Sequence, residues 1–453
     1  MSFYCAPLPY QPDAARYYAA LADLPWAVWL DSGGMARYDI LAAAPQRTLT
    51  LDEDATQGDP FALLRGALGE RVAAVADVPF AGGALGYWSY DLARRIMVLP
   101  DIAQTAGQLP DMAVGIYDWA VVLDHRQHTA RLVSHRRFAG TAELLPQILL
   151  RLQNLPPLPA DTFRVHGEIV SNFTPEGYAA AFAAVQGYLQ AGDCYQVNLA
   201  QRFSAPAEGD AFGAYLALRS LSPAPYAAFL NLPHARILCA SPECFVSVQN
   251  GRVRTKPIKG TRPRGSDAQQ DRLLAEELRS HPKDRAENLM IVDLLRNDLG
   301  KSCIPGSVHV PELFKVESFA NVHHLVSTVE GRIAAGRDAL DVLRDCFPGG
   351  SVTGAPKLRA MQIIEQLEPH RRGIYCGAIG YAGFDGNMDT NIAIRTLVHG
   401  NDRIHCWAGG GIVADSDMAA EYQETLHKAS AMLELLQRYG GHYERSIEKR
   451  LPG

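Results

Sequence analysis

The chain has 453 residues and a formal net charge of −6, with 47% hydrophobic and 20% charged residues. That length and balance support a large buried core, as two or three average domains or one large one. The mild acidity and the lack of any clustered block of Lys and Arg argue against a nucleic-acid partner, and no run of about 18 apolar residues is available to span a membrane.

Met1 to Pro12 has no Lys or Arg and no long apolar stretch, so a signal peptide is not expected. The eight cysteines, Cys5, Cys194, Cys239, Cys244, Cys303, Cys346, Cys376 and Cys406, include no Cys-x-x-Cys pair. Most lie in apolar runs, so free thiols in a reducing cytosol are expected, without structural zinc or disulfides.

Trp26 to Leu30 reads as a short strand ahead of the turn Asp31-Ser32-Gly33-Gly34. Ala81 to Tyr90 reads as a close-packed strand. Met112 to Asp124 is one long apolar run, with Arg131 to His135 folding back on it as a hairpin across Asp124 to Gln127. Asn154 to Pro159 holds three prolines and is the best linker. It separates an N-terminal region, 1–155, packed on the rest, from a larger unit over 165–440.

Beyond the linker, Thr174-Pro175 opens a helix expected to run to Gln190 and stop at Gly192. Strands are expected at Cys194 to Phe203, Ala227 to Leu232, Ile237 to Ser241, Phe245 to Val248, Val253 to Pro257, His323 to Ile333, Cys376 to Phe384, Asn387 to Val398 and Arg403 to Trp407. Helices are expected at Ala211 to Leu221, Ser266 to Arg279, Lys283 to Asn297, Ala339 to Cys346, Pro356 to Leu367 and Ala419 to Arg438. Blocks of strand with helices set between them indicate an α+β fold with large antiparallel sheets.

Several segments carry chemistry. Lys259, in Lys256-Pro257-Ile258-Lys259-Gly260-Thr261, follows a strand, and Gly260 permits a sharp turn. A lysine held there inside a site can lose its proton by desolvation and become a nucleophile; the same residues also serve in ordinary surface turns. Glu287 lies near the start of a helix, where the dipole favours a carboxylate. Glu421, Glu424 and Lys428 share one helix face by their spacing. Two carboxylates so placed can hold a hard cation, or simply make a solvated face with an ion pair. Gly349 to Lys357 launches a helix, and Gly409-Gly410-Gly411 lets backbone approach a carboxylate closely. His323-His324, Tyr375, Glu243 and Arg395 interrupt apolar strands, and a strand arginine among apolar neighbours is costly unless it meets an anion.

In order and spacing these segments resemble the chorismate-utilising enzyme family. The match runs from about residue 170 to 435. A weaker N-terminal match passes through Gly82 to Tyr87 and Leu109 to Ala113. The resemblance implies an α/β or α+β fold, anthranilate-synthase-component-I-like, with two large antiparallel sheets stacked around the site and helices outside. Within the family, Pro-Ile-Lys-Gly-Thr at Pro257 to Thr261 resembles the members that aminate chorismate on the way to 4-aminobenzoate and folate. The anthranilate-forming members carry alanine in place of Lys259. The resemblance thus implies Lys259 as nucleophile and Glu243 as general acid. It implies Mg²⁺ held by Glu287 and Glu424, with Glu421 close by. Thr261, His324, Thr353, Tyr375, Arg395, Gly410, Gly411 and Lys428 would contact chorismate. Ammonia would come from a glutamine amidotransferase subunit, since no cysteine nucleophile elbow with a downstream His-x-Glu is found here. Ser32, Arg37, Tyr38, Pro225 and Tyr226 match positions where some members bind L-tryptophan. The alternatives on this scaffold are an anthranilate-forming lyase and an inactive tryptophan-binding regulatory protein.

Overall fold

In a computed structural model the chain is described over residues 3–52, 58–105, 109–319 and 322–443. Among these residues one sheet has 13 strands and the other 10. The ladders of both sheets are antiparallel. The two sheets stack face to face: Val28, Ile40 and Ala228 from one meet Leu85, Tyr117 and Ile379 from the other. Helices including Pro175–Gln190, Phe212–Leu221 and Met418–Arg438 cover the outer face of the larger sheet. Pro60–Leu68, Pro282–Gly300 and Ala339–Cys346 cover the smaller one. This is the stacked arrangement that the sequence implies. Each large apolar side chain fully buried in these layers contributes about 1.5–3 kcal/mol, more than an exposed ion pair.

The region before Asn154 shares both sheets with the region after Pro159. Ala27–Asp31, Tyr38–Ala42 and Ala120–Asp124 extend the larger sheet, while Gly83–Trp88 and Met112–Tyr117 lie within the smaller one.

Local sequence accounts for much of this. The helix Pro175–Gln190 starts where Thr174 Oγ1 accepts the Gly177 N–H at 3.0 Å, and Gly192 just beyond it has φ +77°. In the strand Ala120–Asp124, Val121 and Leu123 join the helix-covered core, whereas Ala120 and Val122 join the core between the sheets.

Two expected strands are each two. The run Met112 to Asp124 breaks at Asp118, which is fully buried and accepts from Arg137 N, Phe138 N and Thr141 Oγ1 at 2.6–3.0 Å. The chain crosses there from the smaller sheet to the larger. Asn387 to Val398 likewise divides into Met388–Ile392 and Thr396–Gly400, one in each sheet. A third crossing joins Arg236–Ser241 to Cys244–Gln249. The strand His309–Ser318 was not legible: it is an edge strand with exposed and half-buried residues alternating and charged side chains along it.

Candidate active site

Two crossings meet in the seam between the sheets. Ser241 Oγ donates to Ile392 O at 2.6 Å, Ile392 N donates to Glu243 O at 3.1 Å, and Ala240 N donates to Arg395 O at 3.0 Å. These bonds hold Glu243 and Arg395 in one place. Arg395 is therefore not inside a strand, as its apolar neighbours suggested. It sits at the break with φ +49°, and its guanidinium has no hydrogen-bond or ion-pair partner among the described residues. Burial lowers its pKa against the pull of Glu243. A half-buried, unpaired guanidinium is a ready receptor for a carboxylate.

Glu243 is 5% exposed. Ser351 Oγ donates to its Oε1 at 2.9 Å. Burial pushes the carboxyl up to about 7, against the opposing pull of Ser351, Lys259, the Ile258 N–H and Lys428. A carboxyl of that kind still holds a proton near neutral pH, which a general acid requires. The loop bearing Ser351 is anchored by Lys357 Nζ, which donates to Cys346 O and Asp298 Oδ2, both at 2.7 Å.

Lys259 lies within a strand, Ile258–Pro263, rather than at a turn after one. Its register with Val322–Arg332 slips between Ile258 and Thr261. Gly260 makes this bulge, with φ +86° and no room for a Cβ, which would fall 2.9 Å from Leu278 Cδ1. Lys259 is half-buried, and its Nζ has no hydrogen-bond partner among the described residues. Burial lowers its pKa and Lys428 lowers it further, while Glu287, Glu243 and Glu424 act to raise it. The amine thus senses the acids named from the sequence although they come from three separate segments.

Glu287 projects from the helix Pro282–Gly300, and Glu421, Glu424 and Lys428 from Met418–Arg438. Lys428 Nζ pairs with Glu424 Oε1 at 2.6 Å and donates to Gly409 O at 3.0 Å. Burial raises the Glu424 pKa, but Lys428, Lys259 and Lys283 bring it below its ordinary value. Glu421 is 6% exposed and its pKa is raised, first by burial, with Glu424 adding to the rise. Ser416 Oγ donates to its Oε1 at 2.6 Å, but its Oε2 is buried without a partner among the described residues. A Cβ on Gly410 would fall 2.8 Å from that oxygen and 3.6 Å from Glu424 Oε1. Among the described residues no group of three or more His, Cys, Asp or Glu side chains could hold a metal. An all-oxygen pair of acids with one unpaired oxygen nevertheless suits Mg²⁺, which takes one or two carboxylates and fills its shell with water and substrate.

The glycine triplet is part of the strand Arg403–Ile412 and pairs with Gln196–Glu208. Asn198 N donates to Thr353 O and Ala200 N to Glu368 Oε1, so neither bonds to its opposite residue, Gly411 or Gly409. By strand alternation, Gly409 and Gly411 turn their amides to the open edge, and Gly410 spends its own on Leu199. Gly410 is corrected accordingly: its role is to admit the acids, not to bind with its N–H. Gly409 was missed, although the period of two would have selected it with Gly411.

Thr353 is also corrected. It is fully buried and its hydroxyl donates within its own loop, to Gly349 O at 3.1 Å or Gly350 O at 3.4 Å, so it shapes the loop and does not line open space. Thr261 Oγ1 meets His324 Nδ1 at 2.9 Å. Burial, Arg395 and His323 push the His324 pKa down to about 4, so its ring is neutral. Tyr375 is 4% exposed and stacks on Trp407 at 6.3 Å and 9°. Ser351 was missed, as was Gln196, a fully buried amide without hydrogen-bond partners among the described residues, whose Nε2 would lie 2.8 Å from a Cβ on Gly411.

Ser32, Arg37, Tyr38, Pro225 and Tyr226 are drawn together by the pairing of Ala27–Asp31 with Tyr226–Asn231 and by the contact of Gly33 with Ala224. Arg37, however, is committed to Asp124 and Asp77, at 2.7 and 2.8 Å. It braces the strands and has little left for a ligand.

The matched region and the seam between the sheets place the chain in a family of chorismate-binding folds. Residues 26–434 match the model of the chorismate binding enzyme family, and the chain belongs to that family. It is 48% identical over 450 residues to aminodeoxychorismate synthase component 1 of Escherichia coli (strain K12), covering 95% of this chain and 98% of that one. It is 42% identical over 424 residues to anthranilate synthase component 1 of Streptomyces coelicolor, covering 90% and 82%. Among solved structures, anthranilate synthase component I from Streptococcus pneumoniae superposes with a TM-score of 0.79 at 34% identity, covering 88% of this chain and 92% of that one. No helix among the described residues is long and apolar enough to cross a membrane.

Proposed function

We propose that this chain is an aminodeoxychorismate synthase component: it replaces the C4 hydroxyl of chorismate with an amino group and retains the enolpyruvyl group, on the route to 4-aminobenzoate and folate. The observation that carries the reading is the half-buried, unpaired Lys259 amine in the same seam as Glu243, a carboxyl that keeps its proton near pH 7. The 48% identity to a synthase of that name supports it.

Arg395 and Tyr375 receive the enolpyruvyl carboxylate. The ring carboxylate lies at the acid cluster and the outward amides of Gly409 and Gly411. A bound Mg²⁺ there would be held by Glu287 and Glu424, with Glu421 nearby, and would neutralise the ring carboxylate and fix its position. The Lys259 lone pair attacks C2. Both ring double bonds shift together, C1=C2 to C1=C6 and C5=C6 to C4=C5, the C4–O bond breaks, and Glu243 gives its proton to the departing oxygen, which leaves as water. Ammonia then attacks C4, both double bonds return to C5=C6 and C1=C2, and the C2–N bond breaks to release Lys259 as a neutral amine. The extra proton on the new amine returns to Glu243. Chorismate plus ammonia thus yields aminodeoxychorismate plus water, with the enzyme restored.

Ammonia is supplied by a glutamine amidotransferase subunit. Glutamine hydrolysis in such subunits needs an activated thiol, and burial pushes Cys194, Cys239, Cys244, Cys303, Cys346, Cys376 and Cys406 upward. The numbering of the relatives' names as component 1 supports a second component. L-tryptophan is a candidate ligand near Ser32, Tyr38, Pro225 and Tyr226, with Arg37 as a brace. A cytosolic setting suits the seven buried free thiols.

The test is incubation with chorismate, Mg²⁺ and ammonium, with the products separated by mass. Aminodeoxychorismate without free pyruvate is expected. Anthranilate with stoichiometric pyruvate would overturn the reading in favour of the lyase. Tight tryptophan binding without any turnover would favour the regulatory protein. For the metal, Glu424→Gln should raise the Mg²⁺ concentration for half-maximal rate by roughly tenfold or more, measured by titrating Mg²⁺ at saturating chorismate.

A further inference from the structure

A second polar cluster lies on the strands Gln196–Glu208 and Arg403–Ile412, and none of its residues takes part in the steps above. Arg202 stands opposite Trp407, Ser204 opposite His405, and Pro206 opposite Arg403. Directly opposed residues share a face, so Arg202, His405 and Arg403 lie on one side of the sheet. Asn172 ties in two more segments. Its Oδ1 accepts from Arg202 N at 2.7 Å, its own N–H donates to Arg202 O at 2.9 Å, and its Nδ2 lies 3.3 Å from His370 Nδ1.

The charges of this cluster are unbalanced. Burial lowers the Arg202 pKa and Arg403 lowers it further. Burial, Arg202, Arg403 and His370 push His405 down to about 4. Burial and Arg202 lower His370. Among the described residues no carboxylate contributes to any of these three shifts. Arg202 Nε and His405 Nδ1 are both buried without a hydrogen-bond partner among the described residues. The Trp407 ring lies 5.9 Å from the Arg202 guanidinium and meets part of its charge, but it does not satisfy the Nε–H. Among the described residues Arg403 reaches only Ser204 Oγ, at 3.4 Å. A solvated pair of arginines would keep these nitrogens in water. Here one guanidinium N–H and one ring nitrogen are withdrawn from water and left unpaired, which is costly in the absence of a ligand.

We propose that Arg202, Arg403 and His405 form a binding site for a small oxyanion of the carboxylate or phosphate class. Arg202 supplies a planar fork that matches two oxygens of such an anion. Arg403, more exposed at the edge, adds charge at the mouth, and His405 adds a ring nitrogen. Trp407 gives the site a flat wall and connects it to Tyr375 by their stacking.

The experiment uses the full chain. Inorganic phosphate and acetate are titrated separately while the Nε–H resonance of Arg202 is followed by NMR. A saturable shift with at least one anion is expected, and which anion gives it assigns the class. Arg202→Gln should abolish anion binding measured by calorimetry. Arg403→Gln, at an exposed position and so safe for folding, should weaken it roughly tenfold. Arg279→Gln, on a distant helix segment, should leave it unchanged. No saturable shift with either anion would overturn the proposal, and so would equal affinity in the parent and Arg403→Gln. Lys259→Ala should still bind the anion, which separates failure here from failure of the proposed reaction.

Discussion

Lys259→Ala is expected to lower turnover of chorismate to aminodeoxychorismate by roughly three orders of magnitude or more, the scale of losing a covalent nucleophile. The fold should survive. The amine makes no hydrogen bond among the described residues, and burial already disfavours its charged form, so its removal breaks no network and relieves a desolvated cation. Thermal unfolding and steady-state rates together decide the matter. An inactive variant with an unchanged melting temperature is the expected result. An active variant that still makes aminodeoxychorismate would remove Lys259 from the mechanism. Because the family resemblance implies alanine at that position in the anthranilate-forming members, the variant's products should also be examined for pyruvate.

Glu243→Gln is expected to cost about 10²- to 10⁴-fold in rate, the range for a positioned general acid, and to change two pH profiles. In the proposed reaction Glu243 must be protonated and Lys259 neutral at once, so a bell-shaped rate profile is expected of the parent. One limb lies near pH 7, where burial places the Glu243 carboxyl. The variant should lose that limb and keep the limb due to Lys259. The stability profile follows from the same shift. The folded-state pKa of Glu243 is raised from 4.5 to about 7. Its contribution to stability is therefore full below pH 4.5 and is lost as pH rises through about 7. The shift corresponds to about 3 kcal/mol at most. Glu243→Gln should match the parent near pH 4 and exceed it near pH 8, by denaturant unfolding. A variant less stable than the parent at both pH values would contradict the buried-acid account.

Local sequence signals were sufficient where polar punctuation is present. Thr174, Pro175 and Gly192 bound their helix, and Asp338 caps Ala339–Cys346 by accepting from Asp341 N. They failed where the chain passes from one sheet to the other inside the core. Ile392 and Ala393 are as buried as the strands around them, and Arg395, the charged residue at the crossing, reads equally well as a residue within a strand. The positive φ of Arg395 cannot be read from a run of apolar neighbours either. Register is equally silent, and register decides that Gly409 and Gly411 face outward and Gly410 inward. The candidate site was visible only through resemblance. Glu243, Lys259, Glu287 and Glu424 each look like an ordinary strand or helix residue. Their convergence depends on the crossings and the packing of two helices, which no local pattern encodes. Ser351 was overlooked for the same reason: its value lies in its 2.9 Å bond to a residue more than a hundred positions away.

The central claim is that the Lys259 amine bonds to the substrate ring. It is tested most directly by mixing the protein with chorismate and Mg²⁺ in the absence of ammonia, quenching, and mapping any adduct by peptide mass spectrometry. The account predicts a mass gain of chorismate less one water, confined to the peptide bearing Lys259, and discharged when ammonium is added. An unmodified Lys259 during active turnover, or an adduct on another residue that persists in Lys259→Ala, would contradict it.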